Sequence, residues 1–370
     1  MTLAQFWIRP RGVRDLADHR HLGSDKGVPI HKAGPVKARF LPPAPATAGA
    51  LRFWRALARL GPLAVAAVLA ACATPQSDAL RAQRPPGAAL GIAEIRELDH
   101  VPFYAQERDH CGPATLAMAL GASGLTRDPE SIDATVFVPG RAGSLAPEML
   151  AAARRQGRLA VQLPPNLVSV LREVDAGNPV IVLQNLGLSF YPVWHYALVI
   201  GYDVGNDQIL MHSGPQPRMR MSLELFEHTW TRGGSWAMVA VAPSKLPATP
   251  SSEALVAAAA ALERVDSGAA HAAYLALSRR TPENFGAWMG LGNSAFAMGD
   301  TTGAVAAFTR ASELQPENAD SWNNLASALL ARGAKREARA AIERALALGG
   351  AHRAVYERTA AEIEQTEGAP

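Results

Sequence analysis

Val101-Pro102-Phe103-Tyr104-Ala105-Gln106-Glu107-Arg108-Asp109-His110-Cys111-Gly112-Pro113-Ala114 is the segment on which the fold of this chain turns. Gly112 and Pro113 mark a loop-to-helix junction, and Ala114 to Leu120 is a run of helix formers stopped by Gly121 and Gly124. Cys111 is therefore expected at a helix N-terminus. Unpaired N–H groups and the positive end of the helix dipole favour thiolate over thiol there, and the thiolate is the attacking species in nucleophilic catalysis. A lone cysteine at a helix start is more often a small buried hydrophobe. The candidacy of Cys111 depends on a partner.

That partner is His195. Val193-Trp194-His195-Tyr196-Ala197-Leu198-Val199-Ile200-Gly201-Tyr202-Asp203 reads as a buried strand, with Gly201 and Asp203 opening the turn after it. A histidine at the start of an apolar strand is placed to reach across a cleft to a helix terminus. It would serve first as base to the thiol and later as acid to the leaving group.

Gln106-x-x-x-x-Cys111-Gly112-Pro113-Ala114 followed by His195-Tyr196-Ala197-Leu198-Val199-x-Gly201-Tyr202-Asp203 resembles the bacteriocin-processing, papain-like cysteine peptidases that cut after double-glycine leaders. The similarity is closest to their non-transporter relatives, lipoproteins with a tetratricopeptide tail, and covers roughly residues 96–245. The resemblance implies Cys111 as nucleophile, His195 as general base and acid, and Gln106 as side-chain donor to the oxyanion hole beside the Cys111 backbone N–H. It also implies an Asp on the next strand, and here the sequence departs from it. The strand Gln208 to Met211 runs into His212-Ser213-Gly214, so His212 or Ser213 stands where the orienting carboxylate belongs. Asp203 and Asp207 fall in the preceding turn. A neutral group can hold an imidazole tautomer, as the Asn of papain-like triads does. A dyad, a weakened triad and an inactive relative all remain open.

Around this core the remaining features look architectural. Ser144 is expected to cap a helix over Pro147–Gln156, with a second helix over Val168–Asp175, a strand over Val180–Gln184, and Trp230 and Trp236 buried near the sheet. There is no Gly-rich phosphate loop and no Cys/His metal spacing, so no cofactor and no metal is expected.

Downstream, residues recur at an offset of 34: Pro282/Pro316, Asn284/Asn318, Trp288/Trp322, Leu291/Leu325, Gly299/Gly333 and Ala304/Ala338. This is the tetratricopeptide period. Ser252 to Thr281 reads as a degenerate first repeat and His352 to Gln365 as a closing helix. Such units bury their apolar faces only by stacking, and the stack offers a concave surface for a protein or peptide partner.

Upstream, Arg52, Arg55 and Arg59 precede the uncharged run Leu60–Ala71, twelve residues long, and then Cys72. That length suits a signal peptide and falls short of a membrane span. Leu69-Ala70-Ala71-Cys72 resembles the bacterial lipobox, which implies lipidation at Cys72; Ala73 in the next position implies the outer membrane, facing the periplasm. About fifty residues precede this signal, as an extension or a start placed too far upstream.

The charge distribution agrees with export. Residues 1–59 hold 11 of the 36 Lys and Arg but three of the 33 Asp and Glu. The basic balance is thus confined to one terminus and argues for targeting rather than nucleic-acid binding. With 48% hydrophobic and 19% charged residues in 370, the chain supports two or three packed domains, and two cysteines exclude a disulfide scaffold.

The expected organisation is an extension (1–50), a signal peptide (51–71), a Pro-rich extended linker (72–95), an α+β papain-like cysteine peptidase domain (96–245), a second linker (246–252), and an all-α tetratricopeptide-repeat solenoid (253–366). The expected function is an exported, lipid-anchored cysteine peptidase. The rival is an inactive peptidase-like binding lipoprotein of the cell envelope, and acyl transfer or cross-link cleavage by the same thiolate is a third reading.

Overall fold

The computed structural model describes residues 74–83, 85–105, 110–138 and 143–367. The extension, the signal segment, Cys72 and Gln106 lie outside them.

The first described residues correct the expectation of an extended linker. Helices α1 (Pro75–Ala82) and α2 (Pro86–Leu90) each open on a proline in the first turn, where the missing N–H has no intrahelical partner to lose. The N–H groups of Gln76 and Ser77 donate to the buried carboxylate of Glu227 at 3.1 and 2.7 Å. Arg81 is forked onto Asp207 at 3.1 and 3.0 Å and also reaches Glu224. These prolines start helices that lie on the domain instead of spacing it from something else.

The elements that follow are β1 (Ile95–Glu97), α3 (Cys111–Ala122), α4 (Pro129–Val136), β2 (Phe137–Val138), β3 (Gly143–Ser144), α5 (Ala146–Arg155), β4 (Leu159–Gln162), α6 (Leu167–Asp175), β5 (Val180–Asn185), β6 (Trp194–Asp203), β7 (Gln208–Ser213), β8 (Gln216–Ser222), α7 (Leu223–Arg232) and β9 (Ala237–Val241). β2 and β3 form a small ribbon, and seven strands form one antiparallel sheet in the order β4-β9-β5-β6-β7-β8. β1 pairs with the second half of β6, beyond the end of β5. From Ala176 to Tyr202 the sequence has no Asp, Glu, Lys or Arg, which suits strands at the centre of a sheet covered on both faces. Gly201, at an irregularity of the β6/β7 register, lets β1 approach: a Cβ there would stand 2.6 Å from the Arg96 carbonyl oxygen. Trp230 is fully buried and its indole N–H donates to the Trp236 carbonyl at 2.8 Å. Ser144 is not the cap expected of it; it ends β3, and α5 has Leu145 in the N-cap place with no side-chain cap.

The remaining helices are α8 (Ser252–Glu263), α9 (Ser267–Arg280), α10 (Phe285–Ala297), α11 (Thr301–Leu314), α12 (Ala319–Ala331), α13 (Lys335–Leu348) and α14 (Arg353–Glu367). The 34-residue repeat reappears as repeated bonds. The Trp288 indole N–H donates to the Pro282 carbonyl and the Trp322 indole to the Pro316 carbonyl, each at 2.9 Å. Asn284 and Asn318 both N-cap their helices. Gly299 and Gly333 both take positive φ, +80 and +83°, which glycine adopts without strain. Gly290 and Gly292 admit the rings of Tyr274 and Phe308 between helices.

The first repeat is not free of the peptidase region. α8 packs on β4, the outer strand of the sheet, and on α5, and Leu255, Ala258, Ala259 and Leu262 belong to the sheet's own core. Covering an edge strand in this way removes an unpaired ladder from solvent. The connection 246–252 is pinned as well. Glu173, fully buried, accepts the Thr249 N–H at 2.7 Å, the Thr249 hydroxyl at 2.8 Å and the Asn178 amide at 2.7 Å. Arg280 donates to the Pro247 carbonyl at 2.6 Å. Glu173→Ala strands three donors, so a loss of about 3 kcal/mol is expected. Thermal unfolding checks it, and a midpoint within a degree of the parent would refute the pinning role.

Candidate active site

α3 is apolar on every side. Residues 112–120 are all buried, and a helix of that kind belongs in the middle of a fold. Cys111 is its first residue, preceded by His110 in the N-cap place. Two side chains one turn apart on α3 grip the backbone of one β6 residue from both sides of its Cα: Tyr196 N–H donates to Cys111 Sγ at 3.5 Å, and Thr115 Oγ1–H donates to the Tyr196 carbonyl at 3.3 Å. The thiol sulfur is thereby fixed against the main chain of the residue that follows His195.

Close approach at this junction depends on Gly112. A Cβ there would stand 2.3 Å from Ser144 Oγ and 2.6 Å from Ser144 Cβ. The Ser144 carbonyl accepts the Tyr196 hydroxyl at 3.4 Å, so β3, β6 and the start of α3 meet at one point. Burial, and after it the neighbouring Cys111, pushes the Tyr196 phenol up and keeps it protonated. The ring stands edge-on to Trp236 at 5.8 Å.

His195 Nε2 lies 2.9 Å from Ser213 Oγ, at the last residue of β7. Of the two residues proposed from sequence for the orienting place, Ser213 therefore meets the imidazole. His212 does not. Strand alternation sends it to the other face, where its Nδ1 accepts the Arg218 N–H at 3.2 Å and its ring stands 5.1 Å from Phe103. A bond to the Val101 backbone engages the His212 ring too, and burial outweighs it to lower the His212 pKa. Asp203 is turned to Asn206 and Asp207 to Arg81, both at the far end of the β6/β7 hairpin. With a hydroxyl as partner and no carboxylate bonded to it among the described residues, burial pushes the His195 pKa down to about 4.

The Ser213 bond engages one ring nitrogen and leaves Nδ1 for the thiol side. If Nε2–H donates to Ser213 Oγ, the lone pair is on Nδ1, the remaining atom that can take a proton from a thiol. Thr115 and Tyr196 were not singled out from sequence as site residues, and Ser144 was read there only as a helix cap. Thr115 alone carried a signal, its i+4 spacing from Cys111 on a helix. Gln106, the expected oxyanion donor, lies outside the described residues.

Residues 98–238 match the model of the Peptidase C39 like family, and residues 255–304 and 290–352 match the tetratricopeptide repeat model. The chain carries a C39-like peptidase domain, an α+β fold, followed by helical repeats of the tetratricopeptide type. No curated protein matches it. Similar solved structures include a C39-like protein from Bacillus anthracis, at 20% identity and TM-score 0.36, covering 42% of this chain and 100% of that one. The peptidase domain of Streptococcus ComA, a bi-functional ABC transporter of a quorum-sensing pathway, aligns at 24% identity and TM-score 0.32, over 38% of this chain and 99% of that one. A thermophilic TPR protein from Thermus thermophilus aligns at 21% identity and TM-score 0.29, over 32% of this chain and 66% of that one.

Proposed function

We propose that the protein is an active cysteine peptidase, exported and lipid-anchored at Cys72 in the outer membrane facing the periplasm, whose repeats bind a protein partner or the substrate. The observation that carries the catalytic part is the double grip of Cys111 and Thr115 on the Tyr196 backbone N–H and carbonyl, beside a His195 held by Ser213.

In this mechanism neutral His195 takes the thiol proton at Nδ1 as Cys111 Sγ attacks the scissile carbonyl carbon. The oxyanion that forms is met by the Cys111 backbone N–H at the start of α3 and by the Gln106 side-chain amide. Collapse breaks the C–N bond, and His195 hands its proton to the departing amine. Water, deprotonated by the same nitrogen, then attacks the thioester and releases the acid and the thiol. The rival, a binding protein with the same fold, draws on one observation: the group behind His195 is a hydroxyl.

Alkylation of Cys111 separates the two. On a chain beginning at residue 73, so that one thiol remains, iodoacetamide reactivity is expected to rise with pH at a midpoint below the ~8.5 of an ordinary cysteine, and to fall when His195 is replaced by alanine. A thiol of ordinary reactivity, indifferent to His195→Ala, would assign the domain to binding.

A further inference from the structure

The turn between β5 and β6 carries an apolar tip that stands in solvent. Leu186, Leu188, Phe190, Tyr191, Val193 and Trp194 are all exposed, Phe190 at 85% and Tyr191 at 73%. The tip is built, not loose. Asn185, at its base and buried, accepts the N–H groups of Gly187 and Val193 at 3.0 and 2.9 Å and donates to the Leu188 carbonyl. Leu188 and Tyr191 exchange both backbone bonds at 3.1 Å across the turn. An apolar cluster held rigidly in water marks a surface made for a partner.

We propose that the Leu186–Trp194 tip docks on a lipid bilayer by inserting its side chains at the interface. Three features favour lipid over a peptide. Phe190 and Tyr191 stand mostly in solvent, whereas sites for small ligands and side chains are concave and enclose what they bind. The composition of the tip is aliphatic with Phe, Tyr and Trp, the pattern of interfacial anchors. It is also charge-free, as is the neighbouring segment from Gln208 to Pro217, so neither of these two segments brings a charge to be desolvated on insertion.

The fourth feature is the tether, and this part rests on the anchored reading proposed above. Thr74 is buried and α1 is bonded to Glu227 and Asp207, so only Ala73 separates the fold from Cys72. Two residue steps span at most about 7 Å. A lipid on Cys72 then holds the domain against the membrane. The tip runs directly into His195, so docking it brings the candidate cleft to the bilayer and selects polypeptide presented there.

The test uses a chain beginning at residue 72 with Cys72→Ser, which retains every described residue and carries no lipid, floated with phosphatidylcholine vesicles free of anionic lipid. The expected result is co-flotation, unchanged by Cys111→Ala. The double variant Phe190→Ser/Tyr191→Ser is expected to lose affinity roughly tenfold for each aromatic removed. Both side chains point into water, so folding is spared. Phe190→Trp is expected to keep binding and to show fluorescence quenched by lipids brominated in their acyl chains. Absence of co-flotation by the Cys72→Ser chain, or equal flotation by the double variant, overturns the proposal. So does a double variant whose sole defect is a raised KM for soluble peptides, which would make the tip a substrate subsite. Loss of all hydrolytic activity with flotation intact would instead count against the catalytic reading alone.

Discussion

Gly112→Ala is expected to lower peptide hydrolysis by about 100-fold or more, with Cys111 alkylation slowed alongside it, in a protein that still folds. The added methyl would stand 2.3 Å from Ser144 Oγ and 2.6 Å from Ser144 Cβ, so either β3 or the first turn of α3 must move. The residue next in line is Cys111, whose sulfur is held to Tyr196 N–H at 3.5 Å. A displacement of about 1 Å in a reacting group is enough for a loss of that size. The buried Ser144 Oγ has no hydrogen-bond partner, so removing it costs little, and Ser144→Gly deletes both offending atoms. The double variant Gly112→Ala/Ser144→Gly is therefore expected to recover most of the rate. Native alkylation in the single variant, or a double variant no better than the single one, would show that the contact does not position the thiol.

The second large effect concerns the acid side of the pH–rate profile. His195 acts as a base only when neutral, so kcat/KM falls as pH drops through its pKa in the free enzyme. Burial places that pKa at about 4, and the acidic limb is expected there instead of near neutrality. Ser213→Asp puts a carboxylate beside Nε2, favours the imidazolium and moves the limb upward by roughly 1–3 pH units. The rate at neutral pH is expected to rise as well, because the imidazolium formed during attack gains a counter-charge. Ser213→Ala removes the group that fixes the Nε2–H tautomer and should cost roughly 10–100-fold with the limb little moved. A limb that stays in place in Ser213→Asp would separate Ser213 from the function of His195.

The parts legible in the sequence were those with a period or a punctuation mark. The 34-residue offsets located the repeats because the same bond recurs at Trp288 and Trp322. Gly112-Pro113 located the start of α3, and the apolar run after His195, ended by Gly201 and Asp203, located β6. The choice between His212 and Ser213 was not legible, since a strand side chain changes face with every residue and nothing local fixes the register. The helices at Pro75 and Pro86 were hidden for a different reason: proline opens helices and linkers alike, and the partners that settle the matter, Glu227 and Asp207, lie more than 120 residues away. The buried carboxylate of Glu173 has no sequence signature of any kind, because its partners come from an adjacent loop and from the connection to the repeats.

The packing of α8 on β4 has a consequence for how the chain comes apart. The match to the peptidase family stops at 238 and that to the repeats starts at 255, which invites a cut between them. The cores divide elsewhere: residues as far along as Leu291 and Ala307 share the core of the sheet, and a separate cluster begins with Ala295 and Ala304. The boundary between the two apolar cores thus runs through the second helical repeat, not along the 246–252 connection. Distal helices can fray, exchange or diverge with little echo at Cys111, since stacked repeats communicate mainly with their neighbours. The first repeat, though built to a repeat's pattern, belongs by cohesion to the peptidase region.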